Sequence, residues 1–409
     1  MSLNWLLAFV PIAIGLKWFG ANPILVFAAS ALSIMPLAKL MGSATEALSK
    51  TLGEAIGGLL NASLNNAPDI IIAGFALHQG LVPIVKASLT GSIVSNLLFG
   101  LGLAMFAGGL NHRTQSFNPN AAHIAGALMT LASFGLIIPA VFQFSAASDR
   151  EISREIAGIL FLVYLASLAY TLLTSKAALG KDAVKAELKE SGARPDEVEE
   201  PGRGMNRNQA IGLLAVVTVA LAVMSEVMSG AIEPAAKSLG LTPVFAGVFL
   251  LALVGNVPEL YNAVVFARKD KMDLAIGVTV GASTQVALLV APALVFLGWL
   301  FGQNLNLIFS HFELVAIILA VLVARILIFD GSSNWLKGLM LVALYLMLGV
   351  GFFYTPGVAP GVAPPRFTIG TPWNLDRRAT THALDRGHDG PRRIPLVRPQ
   401  WPLVDTRRG

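Results

Sequence analysis

The sequence predicts an all-α integral membrane protein of about eleven transmembrane helices. They are arranged as one helix plus two five-helix repeats of inverted topology, with discontinuous helices at the midplane. Three observations predict this: sparse charge, apolar runs of bilayer-crossing length, and a polar motif that recurs at a fixed offset. The 409 residues are 55% hydrophobic and 13% charged, with a mean hydropathy of +0.68. Water-soluble domains carry about 25% charged residues, so a lipid-facing surface is the simplest account. Cysteine is absent, which excludes disulfides and thiolate metal sites.

About 20 residues of helix cross a bilayer core. Runs of that kind lie near 3–19, 23–40, 53–77, 81–108, 121–143, 156–175, 208–230, 242–267, 272–300, 311–328 and 335–354. The first contains Lys17 and has no preceding basic stretch, so it reads as a retained span. The implied organisation is a first helix at 1–22, repeats at 23–175 and 208–354, an acidic cytoplasmic loop at 176–207, and a tail at 355–409. That tail is rich in Pro and Arg, lacks apolar periodicity and is expected to be disordered. It carries all of the +5 formal charge, with nine Arg against four Asp. The plainer expectation is an inert extension, and the alternative is contact with anionic lipid.

Basic residues in short loops set orientation. Lys39, Lys50, Arg113, Arg268, Lys269, Lys271 and Lys337 follow even-numbered spans, together with the Lys/Arg set at 176–207. The amino terminus and the 176–207 loop are therefore expected in the cytoplasm. Eleven spans then put the Arg-rich tail outside, which the rule does not favour.

Asn66-Ala67-Pro68-Asp69 recurs 190 residues later as Asn256-Val257-Pro258-Glu259. Twenty-two residues beyond each acid a glycine opens a small polar run, Gly91-Ser92-Ile93-Val94-Ser95-Asn96 and Gly281-Ala282-Ser283-Thr284-Gln285. Each copy is a pair of spans, three and four or eight and nine. Corresponding helices are five crossings apart, an odd number, so the copies face opposite ways. Transporters built on such repeats hold substrate near the midplane.

A carboxylate at membrane depth costs roughly 2.5–3.5 kcal/mol on insertion scales. No Lys or Arg is expected in the middle of the other core spans to pair with Asp69 and Glu259, so a bound cation or a proton is the natural partner. A neutral carboxyl bonded to a neighbouring helix is the plainer alternative. Pro68 and Pro258 lack an N–H, which frees the carbonyls of Leu64 and Val254. Asn66, Asn256, Ser92, Ser95, Asn96, Ser283 and Gln285 offer neutral side-chain groups, with Ser88 and Thr279 alongside. The small residues among them equally suit close helix packing. An all-oxygen set suits calcium. Burial favours a neutral carboxyl and a divalent ion favours a charged one, so calcium and protons compete for one pair of groups.

These stretches resemble the calcium/proton exchanger family of the cation/calcium exchanger superfamily. Gly57-Gly58-Leu59-Leu60-Asn61-Ala62-Ser63 leading to Asn66 and Asp69 is similar to the family's first repeat. Val254-Gly255-Asn256 to Glu259, Lys271-Met272-Asp273-Leu274-Ala275 and Gly281 to Gln285 are similar to its second. Asp330-Gly331-Ser332-Ser333-Asn334-Trp335 resembles its motif before the last span. The likeness runs from about residue 35 to 354. It implies calcium export in exchange for protons, with Asp69 and Glu259 as the alternating carriers. It also implies that Glu226, in a Ser225-Glu226 pair, attracts cations in a vestibule; an interfacial surface carboxylate is the plain alternative. Three residues depart from the pattern: Asp69 stands where Glu is usual, Asn65 replaces a glycine, and Leu260 replaces a histidine after the second acid. Pro68 and Pro258 are similar to features of the sodium/calcium branch, so sodium coupling is the alternative.

The acids at 187–200 suit a weak calcium-regulatory site or, more simply, a solvated linker. An intramembrane hydrolase and a prenyl-transferring enzyme would find no use for the 190-residue symmetry or would need clustered aspartates. A passive channel would fail to move calcium uphill. The expected partners are calcium, protons and the lipid bilayer of the cell (inner) membrane. No cofactor and no nucleic acid is called for, and a homo-oligomer is compatible with the sequence.

Overall fold

A computed structural model describes residues 3–52, 60, 63–141, 146–178 and 205–355, apart from the side chains of 142–149 and 171–178. The glycine-rich stretch 53–59 with 61–62, the acidic loop at 187–200 and the tail from 356 onward lie outside the described residues.

Each of the eleven expected runs contains a helix among the described residues. The helices are α1 (Phe9–Trp18, entered through a 3-10 turn at Leu3–Ala8), α2 (Pro23–Leu52), α3 (Ala67–His78), α4 (Val82–Asn111), α5 (Pro119–Val141) and α6 (Ala146–Ala178). After the acidic loop come α7 (Arg207–Ser238), α8 (Pro243–Arg268), α9 (Met272–Leu300), α10 (His311–Leu327) and α11 (Trp335–Tyr354). Eight of these are long and apolar enough to cross a bilayer; α1, α3 and α10 are shorter.

One boundary needs correction, and it matters for the site. The second apolar run was expected to end near residue 40, with Lys39 in the following loop. Instead α2 continues through Pro36 to Leu52, so Lys39 lies mid-helix. The polar residues Lys39, Ser43 and Glu46 lower the hydropathy there. On the other face Met41, Ala44, Ala47 and Leu48 keep a buried helical stripe. That buried face holds the helix together although Pro36 removes one of its hydrogen bonds.

Two apolar clusters form the interior. One gathers α3 to α6 with α8 to α11, and the other packs α2 against α7 with α1 beside them. Leu131, Phe134 and Ile138 of α5, Leu322 and Ile326 of α10, and Leu346, Met347 and Val350 of α11 are exposed. A continuous apolar exterior of that kind is what hydrocarbon requires.

The α3–α4 and α8–α9 turns are built alike. Gly80 and Leu81 donate their N–H groups to Leu77 and Ala76; Asp270 and Lys271 donate to Ala267 and Phe266, each partner 190 residues on. Both turns close through a left-handed residue, Gly80 at φ 79° and Asp270 at φ 58°. Glycine adopts that conformation without a Cβ clash, whereas Asp270 is held from outside. Gln115 Nε2 donates to Asp270 Oδ1 (2.8 Å) and to the Ala267 carbonyl (2.7 Å). The Asn118 N–H donates to Asp273 Oδ1 at 2.7 Å. Gln115–Ser116 in turn pairs antiparallel with Ser332–Ser333 before α11. There Lys337 Nζ donates to both Asp330 oxygens (2.6 and 2.7 Å), and its ammonium holds the Asp330 carboxyl below the usual carboxylate range. The family-like 330–335 stretch is thus a structural clasp.

Candidate functional site

The two acids are delivered by differently wound helices. Asp69 sits in the first turn of α3, whose N-cap is Asn66 and whose opening residues include Pro68. The chain turns at Asn65–Asn66, so the break expected from Pro68 is present. Glu259 instead lies inside a continuous α-helical stretch, Ala252–Arg268, that carries Pro258 within it. The break expected at Pro258 is absent; the departure from α geometry falls earlier, in a π segment at Ala246–Leu251. A π turn changes the winding without leaving a gap, so the helix continues through the proline. The partner helices carry π segments at matching places, Ser95–Gly100 in α4 and Val286–Val290 in α9. Such segments concentrate at functional sites.

Asp69 and Glu259 face one cavity of about 480 Å³. Its wall includes Asn66, Pro68, Pro258, Gly281 and Gln285, and on the α2 side Lys39, Gly42, Ser43 and Glu46. It runs to Phe266, Asp273 and Leu274 beside the α8–α9 turn, where Asp273 and Leu274 are exposed. On the other side of Asp69 lies a void of about 20 Å³ lined by Ser88 and Ser92, room for about one water.

Close approach is built in. A Cβ on Gly255 would lie 2.6 Å from Asp69 Oδ1, so only glycine leaves that carboxylate its place. Gly91 likewise lies against the Val248 backbone, with a Cβ there 2.6 Å from the Val248 Cα. Glu259 Oε2 is buried and accepts no hydrogen bond from the described residues.

The neutral groups divide into two sets. Asn66 Nδ2 donates to Gln285 Oε1 at 2.7 Å, and Asn256 Nδ2 donates to Ser95 Oγ at 2.6 Å and to the Ser92 carbonyl at 3.2 Å. Shifting Asn66 and Ser95 by 190 gives Asn256 and Gln285, so the two amide bonds exchange under the repeat. Ser283 Oγ donates to the carbonyl of Ile93, its own counterpart under that shift, at 3.4 Å. Asn66, Gln285 and Ser92 thus reach a cavity wall. Asn256, Ser95 and Ser283 are buried behind it. Asn96 is also fully buried, lacks a hydrogen-bond partner among the described residues, and lines neither space. Leu64 and Val254 are not among the lining residues of the large cavity.

Glu226 is elsewhere. It is exposed, 3.9 Å from Lys17 Nζ, and its carbonyl accepts from Gln79 Nε2 at the far end of α3. Lys39, expected in a loop, is a further residue of the site; its ammonium stands 5.7 Å from the centre of the Tyr261 ring. The signal was there in the helical spacing of Met35, Lys39, Gly42 and Glu46. Among the described residues there is no group of three or more His, Cys, Asp or Glu placed to hold a metal. A cation at this site would therefore take its remaining ligands from amides, hydroxyls, carbonyls or water.

Fold and site together define a multi-pass α-helical membrane protein with two acids facing one intramembrane cavity. The chain belongs to the sodium/calcium exchanger protein family, whose family model matches residues 22–173 and 209–354. It is 41% identical over 359 residues to the Ca(2+)/H(+) antiporter of Synechocystis sp., an alignment covering 86% of this chain and 96% of that one. It is 38% identical over 331 residues to the Ca(2+)/H(+) antiporter ChaA of Bacillus subtilis, covering 80% and 92%. Among solved structures, native YfkE superposes with a TM-score of 0.72 at 34% identity, over 86% of this chain and 99% of that one. These likenesses are to transporters, the class anticipated from the paired acids.

Proposed function

We propose that this chain is a secondary antiporter that exports calcium in exchange for protons, with Asp69 and Glu259 carrying each in turn. The carrying observation is that two acids 190 residues apart line one cavity within the span bundle. The names of the relatives at 41% and 38% identity support calcium and protons as the exchanged pair.

The chemistry follows from competition. Two charged carboxylates out of water repel one another, and either a divalent ion or protons removes that cost. Asn66, Gln285 and Ser92 complete the near set. Asn256, Ser95 and Ser283 brace the helices behind that set. Glu226, opposite the cavity's end of α3, serves as a vestibule acid. The exchanged amide bonds and the Ile93–Ser283 contact support a two-fold relation between the copies, as an inverted repeat requires. The basic-residue rule places the α8–α9 turn in the cytoplasm of a cell-membrane protein. The large cavity then faces inward while the small void closes the outer route.

The test is calcium uptake into everted vesicles under an imposed pH gradient, repeated with a sodium gradient. Uptake is expected with pH alone, and Asp69→Asn and Glu259→Gln are each expected to lower it by at least about 100-fold. Uptake driven by sodium alone assigns the sodium-coupled reading. Transport undiminished in both variants removes the carboxylate pair from the mechanism.

A further inference from the structure

We propose that Lys39 is a tethered cation that sets the affinity of the cargo site from the side on which the cavity opens. This rests on the antiporter reading above.

The observation is positional. Lys39 is the one basic residue lining the cavity among the described residues; the acids lining it are Glu46, Asp69, Glu259 and Asp273. Glu46 pairs with Lys50 at 3.1 Å, whereas Asp273 accepts the neutral Asn118 N–H and keeps its charge. Among the described residues only Glu46 has a counter-ion of its own, so the Lys39 charge acts on the acids of the wall that lack one, Asp69 and Glu259 among them. Lys39 makes no ion pair within 4.0 Å among the described residues, and its ammonium is poised by the Tyr261 ring instead. Tyr261 is two residues beyond Glu259, on the same helix. A cation over an aromatic face is attracted without neutralising its charge, so the lysine's field stays directed at the cavity.

A fixed positive charge in a confined, partly dry space repels an incoming cation in proportion to its charge. A divalent ion feels twice the effect of a monovalent one. Lys39 therefore weakens calcium loading and speeds calcium release from that side. Lys–Tyr261 packing alone would give a structural role, and the two are separable.

The experiment measures calcium KM and maximal rate from the cavity side for Lys39→Met, Lys39→Gln and Lys39→Arg, with Glu259→Gln as a transport-dead reference. Removal of the charge is expected to lower calcium KM at least threefold. It should also shift competition by a monovalent cation less than that by a divalent one. Lys39→Arg should restore the native values. Lys39→Gln keeps a polar head and decides the matter should Lys39→Met fold poorly. Unchanged or raised KM in Lys39→Gln, with Glu259→Gln inactive, overturns the proposal while leaving the antiporter reading intact. An active Glu259→Gln variant instead removes the reading on which it rests.

Discussion

Asp69 and Glu259 occupy equivalent places in two copies of one motif, yet their surroundings are not equivalent. Around Asp69 the helix starts afresh at Asn66, and Gly255 of the other copy stands against the carboxylate. Around Glu259 the helix is continuous through Pro258, and the position equivalent to Gly255 is the exposed Asn65. The shorter acid therefore sits in the tighter half and the longer acid in the looser one. Duplicated sequence fixes which residues meet, while local winding decides how closely they are held.

That asymmetry can be broken from either side. The largest effect is expected from Gly255→Ala, whose new Cβ would meet Asp69 Oδ1 at 2.6 Å. Displacing a functional group by about 1 Å costs on the order of 100-fold in rate, so vesicle transport should fall that far. Asn65→Ala, its counterpart, should stay within a few-fold of native. Equal losses in both variants would mean that the halves are as tight as each other.

The glycines that open the polar runs give the next contrast, read in stability. Gly91 packs on the Val248 backbone, whereas a Cβ on Gly281 would find nothing within 4 Å. Gly91→Ala should destabilise the protein by about 1–3 kcal/mol or more, since backbone cannot give way as a side chain can. Gly281→Ala should leave the unfolding midpoint in detergent nearly unchanged. A tolerated Gly91→Ala would refute the close helix crossing.

Smaller and more equal effects are expected from the exchanged amide bonds. Asn66→Ala and Asn256→Ala should each cost about 1 kcal/mol, since each removes an amide donor from a bond across the copies. Double-mutant cycles of Asn66 with Gln285 and of Asn256 with Ser95 should each show coupling of roughly 0.5 kcal/mol or more. Zero coupling in one cycle would place the true pseudo-symmetry elsewhere.

The smallest contrast is at the turns. Gly80→Ala should cost about 1 kcal/mol, because a Cβ is disfavoured at its positive φ. Asp270→Gly relieves the same strain but loses the bond from Gln115, so its effect on the unfolding midpoint should be close to zero.

Much of this was legible in the residues themselves. Apolar run length gave all eleven helices because a bilayer imposes one thickness on every span. The 190-residue offset marked Asp69 and Glu259 as equivalent acids, and an inverted repeat sets its two copies against each other. Asn66 with Gln285 and Asn256 with Ser95 were named as site residues, but their pairing was not, because it joins different copies across the bundle.

Sequence by itself determined the class, the duplication and the two acids, all properties of local composition and spacing. Tertiary structure decided that α2 runs on to Leu52 and carries Lys39 into the cavity. It also decided that Gly255 exists for Asp69, that Asn96 is sealed away, and that Glu226 lies apart with Lys17. The reason is physical. Hydropathy averages over all faces of a helix, whereas a site is made by the one face each helix turns toward its neighbours.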